Sequence, residues 1–404
     1  MKQESEKYLI LVAGLGYFVD IYDLLLFGIV RVQSLKSLGL MNQELLATGV
    51  LLVNLQMLGM LLGGLLWGIL GDKKGRLSVL YSSILIYSLA NIFNAFTHSV
   101  FSYGAFRFIA GFGLAGELGA AITLVSETMG KTRRGLGTTL VTVLGILGAV
   151  AAGLFAEYFN WRVSYFIGGL MGLLLLGLRL RLHESAIFKT SMDQESRRGD
   201  LLLLFTPFAR FCKYLRCILV GVPIWFVIGV LITFAPELSQ ELFVDGTITA
   251  GKAIFYCYIG SSLGNLTFGL LAQYMQSRRK VMVISLSLVM ALIAIYLTSP
   301  KGMGTGVFYA LCGGLGFATG YWVVFLTSAA ELFGTNMRAT VTTSVPNFVR
   351  GSVVLITTAF LGLKAKWGLI GSAMWVGSGT LILAYLSLLW TEETYGRDLN
   401  FYDL

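Results

Sequence analysis

The chain has 404 residues, of which 56% are hydrophobic and only 13% are charged, with a mean hydropathy of +0.77. A soluble domain carries about 25% charged residues, so the composition excludes an ordinary water-soluble protein and points to a polytopic helical membrane protein. A membrane barrel would show alternating segments of about ten residues, and the net charge of +9, which in a soluble chain would suggest nucleic acid, is read here as cytoplasmic-loop charge.

Cys212, Cys217, Cys257 and Cys312 show no C-x-x-C spacing, and the histidines, His98 and His183, fall near predicted helix ends. A disulfide framework or a metal site is not expected, and carboxylates become the candidate proton carriers. Residues 1–7 are polar and the apolar run that follows is too long for a cleavable signal, so residues 8–30 are expected to remain as the first span. That stretch carries Asp20 and Asp23 in its middle, three residues apart and hence on one helical face. An ionised carboxylate at bilayer depth costs about 2.5–3.5 kcal/mol. It therefore faces a bundle interior or a wet cavity, either carrying protons or pairing structurally with an Arg. The carrier reading requires water to reach both acids from alternate sides of the bilayer.

Taking about 20 mainly apolar residues per crossing, spans are predicted at 8–30, 45–70, 77–97, 100–128, 136–159, 161–182, 212–240, 250–276, 281–299, 303–332, 339–363 and 367–390. Residues 183–211 are polar, then amphipathic. They divide the chain into an N-terminal six-helix bundle (1–182), a cytoplasmic linker (183–211) and a C-terminal six-helix bundle with a cytoplasmic tail (212–404). With the N-terminus inside, the cytoplasmic segments gather Lys73, Lys74, Arg76, Lys131, Arg133, Arg134, Arg179, Arg278, Arg279, Lys280 and Arg338 among others. The outer segments hold only Arg31, Lys36, Arg162, Lys252, Lys301, Lys364 and Lys366. This bias puts both termini in the cytoplasm. Arg107 and Arg350 fall inside spans. The halves also repeat: at one offset Gly116 meets Gly320, Glu127 meets Glu331, Gly130 meets Gly334 and Arg134 meets Arg338. A parallel repeat of six spans points to a site between the halves.

After the second span comes G-I-L-G-D-K-K-G-R, Gly68 to Arg76. Gly68 allows close packing against a helix of the other half, Asp72 can cap a neighbouring helix N-terminus, and Arg76 can pair with a carboxylate such as Glu127. The stretch resembles the G-x-L-x-D-x-x-G-R signature of the major facilitator superfamily, and the twelve spans, the long middle segment and the repeated Glu and Arg extend the resemblance over the whole chain. It implies that Gly68, Asp72, Arg76, Glu127, Arg134, Glu331 and Arg338 form a cytoplasmic latch that stabilises the outward-open state. The second copy, Gly269 to Gln273, lacks the acid and should latch more weakly. G-Y-F-V-D-I-Y-D-L in the first span, R-F-I-A-G-F-G-L-A-G-E from Arg107 to Glu117, Glu184 to Phe188 and Glu393 to Arg397 resemble motifs of metabolite:proton symporters and of organic-ion and sugar porters.

The same resemblance assigns Asp23 and Arg107 to a proton-coupling pair. Glu117 is either a second proton site or a structural acid. Arg350, near the bilayer midplane, either binds an anionic substrate through charge-assisted hydrogen bonds or pairs with Asp20 or another acid. Asn54, Gln56, Trp225, Phe226, Tyr256, Asn265, Tyr321, Trp322 and Phe325 are candidates to complete the cavity. The expected function is proton-coupled uptake of a small organic anion or metabolite across a bacterial inner membrane by a monomer. Protons are the coupling ion, no cofactor or metal is required, and the partners are the substrate and membrane lipid. A P-loop is missing from the sequence, so ATP is not the driver. A proton-coupled exporter of a metabolite, siderophore or drug and a transporter-like receptor are the alternatives. An enzyme is not expected.

Overall fold

The computed structural model describes residues 2–129, 134–180, 182, 202–334 and 337–397. Eleven helical runs there are long and apolar enough to cross a membrane, the last being Thr340–Leu389. Its 50 residues would measure about 75 Å at 1.5 Å each, far more than a hydrocarbon core of about 30 Å. Gly368 breaks it with φ 67°, a left-handed conformation that costs glycine little. The run is therefore two crossings, and twelve spans result.

The spans are α1 (Lys2–Ser37), α2 (Asn42–Lys74), α3 (Arg76–Asn94), α4 (Val100–Leu114, resuming as Glu117–Thr128), α5 (Arg134–Tyr158) and α6 (Trp161–Arg179). The second six are α7 (Phe208–Phe226, continued by a π-helix Val227–Ile232), α8 (Ala250–Tyr274), α9 (Arg278–Leu297), α10 (Thr305–Ala318, then Trp322–Leu332 after a 3-10 turn), α11 (338–367) and α12 (369–389). Helices dominate the described residues because each satisfies its own backbone in lipid.

Five boundaries differ from expectation. α1 runs Lys2–Ser37 where 8–30 was expected, because polar residues continue the helix beyond the apolar run at both ends. α7 begins at Phe208, inside the segment read as linker, because the amphipathic run after Pro207 continues the apolar face of the span. It also ends early, and a short helix Ala235–Glu241 follows. Arg179, counted with the loop cations, closes α6 fully buried. Residues 183–201 of the expected linker, including Glu184 to Phe188, lie outside the described residues, as does the side chain of Arg134.

The internal repeat has a structural counterpart. α4 breaks at Ala115–Gly116 and α10 at Thr319–Tyr321, around Gly320. The carbonyl freed at Ala115 accepts from Asn347 Nδ2 of α11 at 2.7 Å. At the other break Asn265 Oδ1 accepts from the Val323 N–H at 3.0 Å. Each break thus keeps its backbone satisfied through an asparagine on a neighbouring helix, and that commits Asn265 Oδ1, on a candidate cavity residue, to the backbone of α10.

Candidate functional site

The seam between the two sets of six helices is closed at the end that carries the basic loops and at its centre. At the end that carries the basic loops, Asp72 Oδ2 accepts from the N–H and hydroxyl of Thr340, at 2.9 and 2.6 Å, capping the start of α11. A Cβ on Gly68 would lie 3.0 Å from the Thr340 Cα, so a glycine is needed for α2 and α11 to approach this closely. Thr123 and Thr342 share a hydroxyl hydrogen bond of 2.9 Å across the same seam. Arg76 meets Glu127 at 2.7 Å, and Arg278, at the start of α9, meets Glu331 at 3.4 Å. The latch motif is therefore doubled in the ion pairs although Gln273 replaces the acid. Gln273 turns instead to the Tyr395 hydroxyl, 3.2 Å away in the tail. Arg338 donates to the carbonyls of Ala330 and Phe333. In the tail, partial burial works to raise the Glu393 carboxyl. Hydrogen bonds from Ser277 and from the N–H groups of Arg278, Tyr395 and Arg279 nevertheless hold it below the ordinary range.

The centre is built on α1. Asp20 and Asp23 are both fully buried, and three residues on a helix leave them about 60° apart around its axis. That rotation is enough to give them different partners, although the spacing alone reads as one shared face. Asp23 turns into its own half, where Arg107 Nη1 donates to Oδ1 at 3.1 Å and Nη2 donates to the Asp23 carbonyl at 3.3 Å. The Arg107 guanidinium lies 5.3 Å from the Tyr165 ring centroid. Asp20 turns across the seam to Arg350 of α11, whose Nη2 lies 3.5 Å from Oδ2. Asp20 Oδ1, Arg350 Nε, Trp322 Nε1 and Gln56 Nε2 are buried without a hydrogen-bond partner among the described residues.

Two of the predicted cavity aromatics reach this pair. The Arg350 guanidinium is 5.9 Å from the ring centroids of both Trp225 and Trp322, and Phe325 supports Trp322 from behind at 5.4 Å. Others are committed elsewhere. The Tyr321 hydroxyl donates to the Val220 carbonyl at 2.8 Å, and Asn54 Oδ1 accepts from Thr357 at 2.8 Å. Tyr256 stacks on Tyr309 at 5.3 Å and is 43% exposed, lining a cavity of about 630 Å³ at the far end of the seam from the basic loops. Sequence reasoning missed Tyr17 and Tyr258, buried and within electrostatic reach of Asp20 and Arg350. Tyr17 was the more legible of the two, since it lies three residues before Asp20 on α1.

Glu117 opens the second segment of α4, and both its oxygens are held by the guanidinium of Arg179. Gly16 of α1 faces this pair, and a Cβ there would collide with it. Of the two readings of Glu117, the geometry matches the structural acid. Breaking a buried ion pair from one side costs about 3–5 kcal/mol because a charge is left uncompensated. Glu117→Gln should therefore lower the thermal unfolding temperature of the detergent-purified protein markedly, and adding Arg179→Met should recover most of the loss. An unchanged unfolding temperature in the single variant would show that the pair contributes nothing.

Neither Asp20 nor Asp23 meets water in this conformation. Access to them requires the seam to part at one end, which the sequence reading demands and this closed arrangement does not display.

A model of the Major Facilitator Superfamily matches residues 13–358. The niacin transporter NiaP of Acinetobacter baylyi is 33% identical over 181 residues, covering 44% of this chain and 40% of that relative. The 3-(3-hydroxy-phenyl)propionate transporter of Escherichia coli is 27% identical over 329 residues, covering 80% of this chain and 77% of the relative. Among solved structures, the proton:xylose symporter XylE bound to 6-bromo-6-deoxy-D-glucose shares the fold, with a TM-score of 0.75 at 17% identity over 99% of this chain and 98% of that one. The family match spans most of the sequence and the fold agrees with it over nearly the whole length, so the chain belongs to the major facilitator superfamily and is a membrane transporter rather than an enzyme.

Proposed function

We propose that the protein imports a small organic anion together with protons, by alternating access across the bacterial inner membrane. On this reading the end with the basic loops is cytoplasmic, and both termini with it, by the positive-inside rule. The contacts around Gly68, Asp72, Arg76, Glu127, Glu331 and Arg338 hold that side shut in the outward-open state, with Arg134 part of the same latch. The two sets of six helices rock about the midplane site.

The observation that carries the reading is the Asp20–Arg350 pair, a carboxylate and a guanidinium facing each other across the buried seam. An arriving anion takes Asp20's place on Arg350, and the displaced Asp20 takes a proton. Empty, the site holds one negative and one positive charge. Loaded with one monoanion and one proton, it again sums to zero. Moving an unbalanced charge through a low-dielectric interior costs several kcal/mol, so a site neutral in both states favours co-transport over movement of the anion alone. The Asp23–Arg107 pair is the second proton-sensitive element, since protonating Asp23 loosens α1 from α4.

The faces of Trp225 and Trp322 beside Arg350 favour a flat, partly apolar anion, and an aromatic monocarboxylate fits best. The names of two relatives, a niacin transporter and a 3-(3-hydroxy-phenyl)propionate transporter, support that choice. Protons are the only coupling ion and no cofactor takes part.

Reconstitution in vesicles of known orientation tests the reading. An acid-outside gradient should drive accumulation of nicotinate or 3-(3-hydroxyphenyl)propionate above equilibrium, and a protonophore should abolish it. Expulsion of preloaded anion under the same gradient would indicate an exporter. Binding without flux would indicate a receptor.

A further inference from the structure

We infer that Arg31 and Glu237 form the outer gate of the transport path, an inference that rests on reading the chain as an alternating-access carrier. Arg31 sits near the end of α1 away from the basic loops and is fully buried. Its Nη2 donates to Glu237 Oε1 at 2.6 Å, in the short helix Ala235–Glu241 that follows α7. The pair joins the two halves, as Asp20 and Arg350 do eleven residues earlier on α1, or about 16 Å along the helix.

The two partners are held unequally. Arg31 is fixed by its own half: Nη1 donates to the Leu45 carbonyl of α2 at 3.4 Å, and Gly49 leaves room for it, since a Cβ there would lie 2.7 Å from the Arg31 side chain. Glu237 stands on a segment joined to α7 through the π-helical Val227–Ile232, and the turn at Phe234 departs from helix with φ −103° and ψ 24°. A π-helical stretch is wider and less regular than the α-helix around it and often marks a functional site. The Glu237 side chain is 22% exposed, so water reaches the pair from one side, and its Oε2 has no partner among the described residues. The segment bearing Glu237 is therefore the part that moves.

Just inward of the pair the halves touch. A Cβ on Gly28 of α1 would lie 3.8 Å from the Thr233 side chain and 3.3 Å from Ile254 of α8. When the ion pair parts, the end of α7 swings from α1, Thr233 becomes accessible and the way to Asp20 opens. Arg31 then stands without its carboxylate at the mouth. A cation so placed raises the local concentration of an incoming anion, and the anion replaces Glu237 there as it later replaces Asp20 on Arg350.

A cysteine reporter at Thr233→Cys tests this in right-side-out vesicles with a membrane-impermeant methanethiosulfonate, the wild-type chain giving the background from its native cysteines. Adding Glu237→Gln should speed labelling at least tenfold. Arg31→Gln should do so at least as much, because it also removes the contact of the guanidinium with the Phe234 ring at 4.9 Å. The two together should label no faster than Arg31→Gln alone, because the ion pair is already lost there. Unchanged labelling in Glu237→Gln, or full additivity of the two, overturns the gate. The readout needs no substrate. Unchanged labelling with intact proton-driven uptake would sink the gate alone, and gated labelling without any flux would sink the carrier reading alone.

Discussion

Replacing Arg350 with alanine is expected, on the proposed anion:proton reading, to weaken substrate binding by roughly 10- to 100-fold. Hydrogen bonds to charged groups contribute about 1.5–3 kcal/mol, and each 1.4 kcal/mol is about tenfold in affinity. Arg350 is the cation facing Asp20 across the central seam, with two indole faces beside it. The single variant leaves Asp20 buried without its partner, and the bundle then suffers from an uncompensated acid as well as from a lost binding group. The double variant Arg350→Ala with Asp20→Asn separates the two effects, since it removes both charges and should restore thermal stability while binding stays weak. Titration of the purified variants with nicotinate, followed by calorimetry or intrinsic Trp fluorescence, gives the affinity directly. Wild-type affinity in the double variant would remove Arg350 from the site and leave the pair as a purely structural link between the halves.

Asp23→Asn is expected to abolish proton-driven accumulation while leaving exchange of labelled for unlabelled anion. Asparagine keeps the shape of the side chain and can still hydrogen-bond to Arg107, but it can neither take up nor release a proton. α1 would then stay fixed to α4 in the unloaded carrier, which could not return empty, while anion and the proton on Asp20 could still swap across the membrane with no net use of the gradient. Arg107 would lose its counter-charge, so the variant should also unfold at lower temperature. Asp23→Glu, which keeps a titratable group, should retain part of the accumulation. Gradient-driven uptake and counterflow measured on the same vesicle preparation distinguish loss of coupling from loss of folding. Full accumulation in Asp23→Asn would mean that the Asp23–Arg107 pair takes no part in coupling.

The fold was legible because its main cause is local. A run of about 20 apolar residues enters the bilayer whatever surrounds it, and the predicted spans match the helices to within a few residues at most ends. The exceptions are α1, whose helix runs on through polar residues at both ends to Lys2–Ser37, and α7, where the amphipathic start and the π-helical end blur the apolar signal. The repeat was legible too, through Gly116 with Gly320 and Glu127 with Glu331, because equivalent breaks and equivalent ion pairs need the same residue types. The Asp23–Arg107 and Arg76–Glu127 pairs were anticipated from their motifs and are present at 3.1 and 2.7 Å.

Other pairings could not be read from one dimension. Nothing in the sequence near Glu117 points to Arg179, and nothing near Arg31 points to Glu237. Tyr256 looked like a cavity residue by type, yet its position on α8 carries it to the far mouth of the seam.

By itself, then, the sequence determined the number of crossings and the presence of charges that must be compensated, because burial in lipid is decided residue by residue along the chain. Only the tertiary structure decided the pairings no motif carries, Glu117 with Arg179 and Arg31 with Glu237, and set Arg350 against Asp20. A pairing depends on the rotation of each helix about its axis and on which neighbours the glycines admit, and a turn of about 60° sends Asp23 into its own half and Asp20 across to the other.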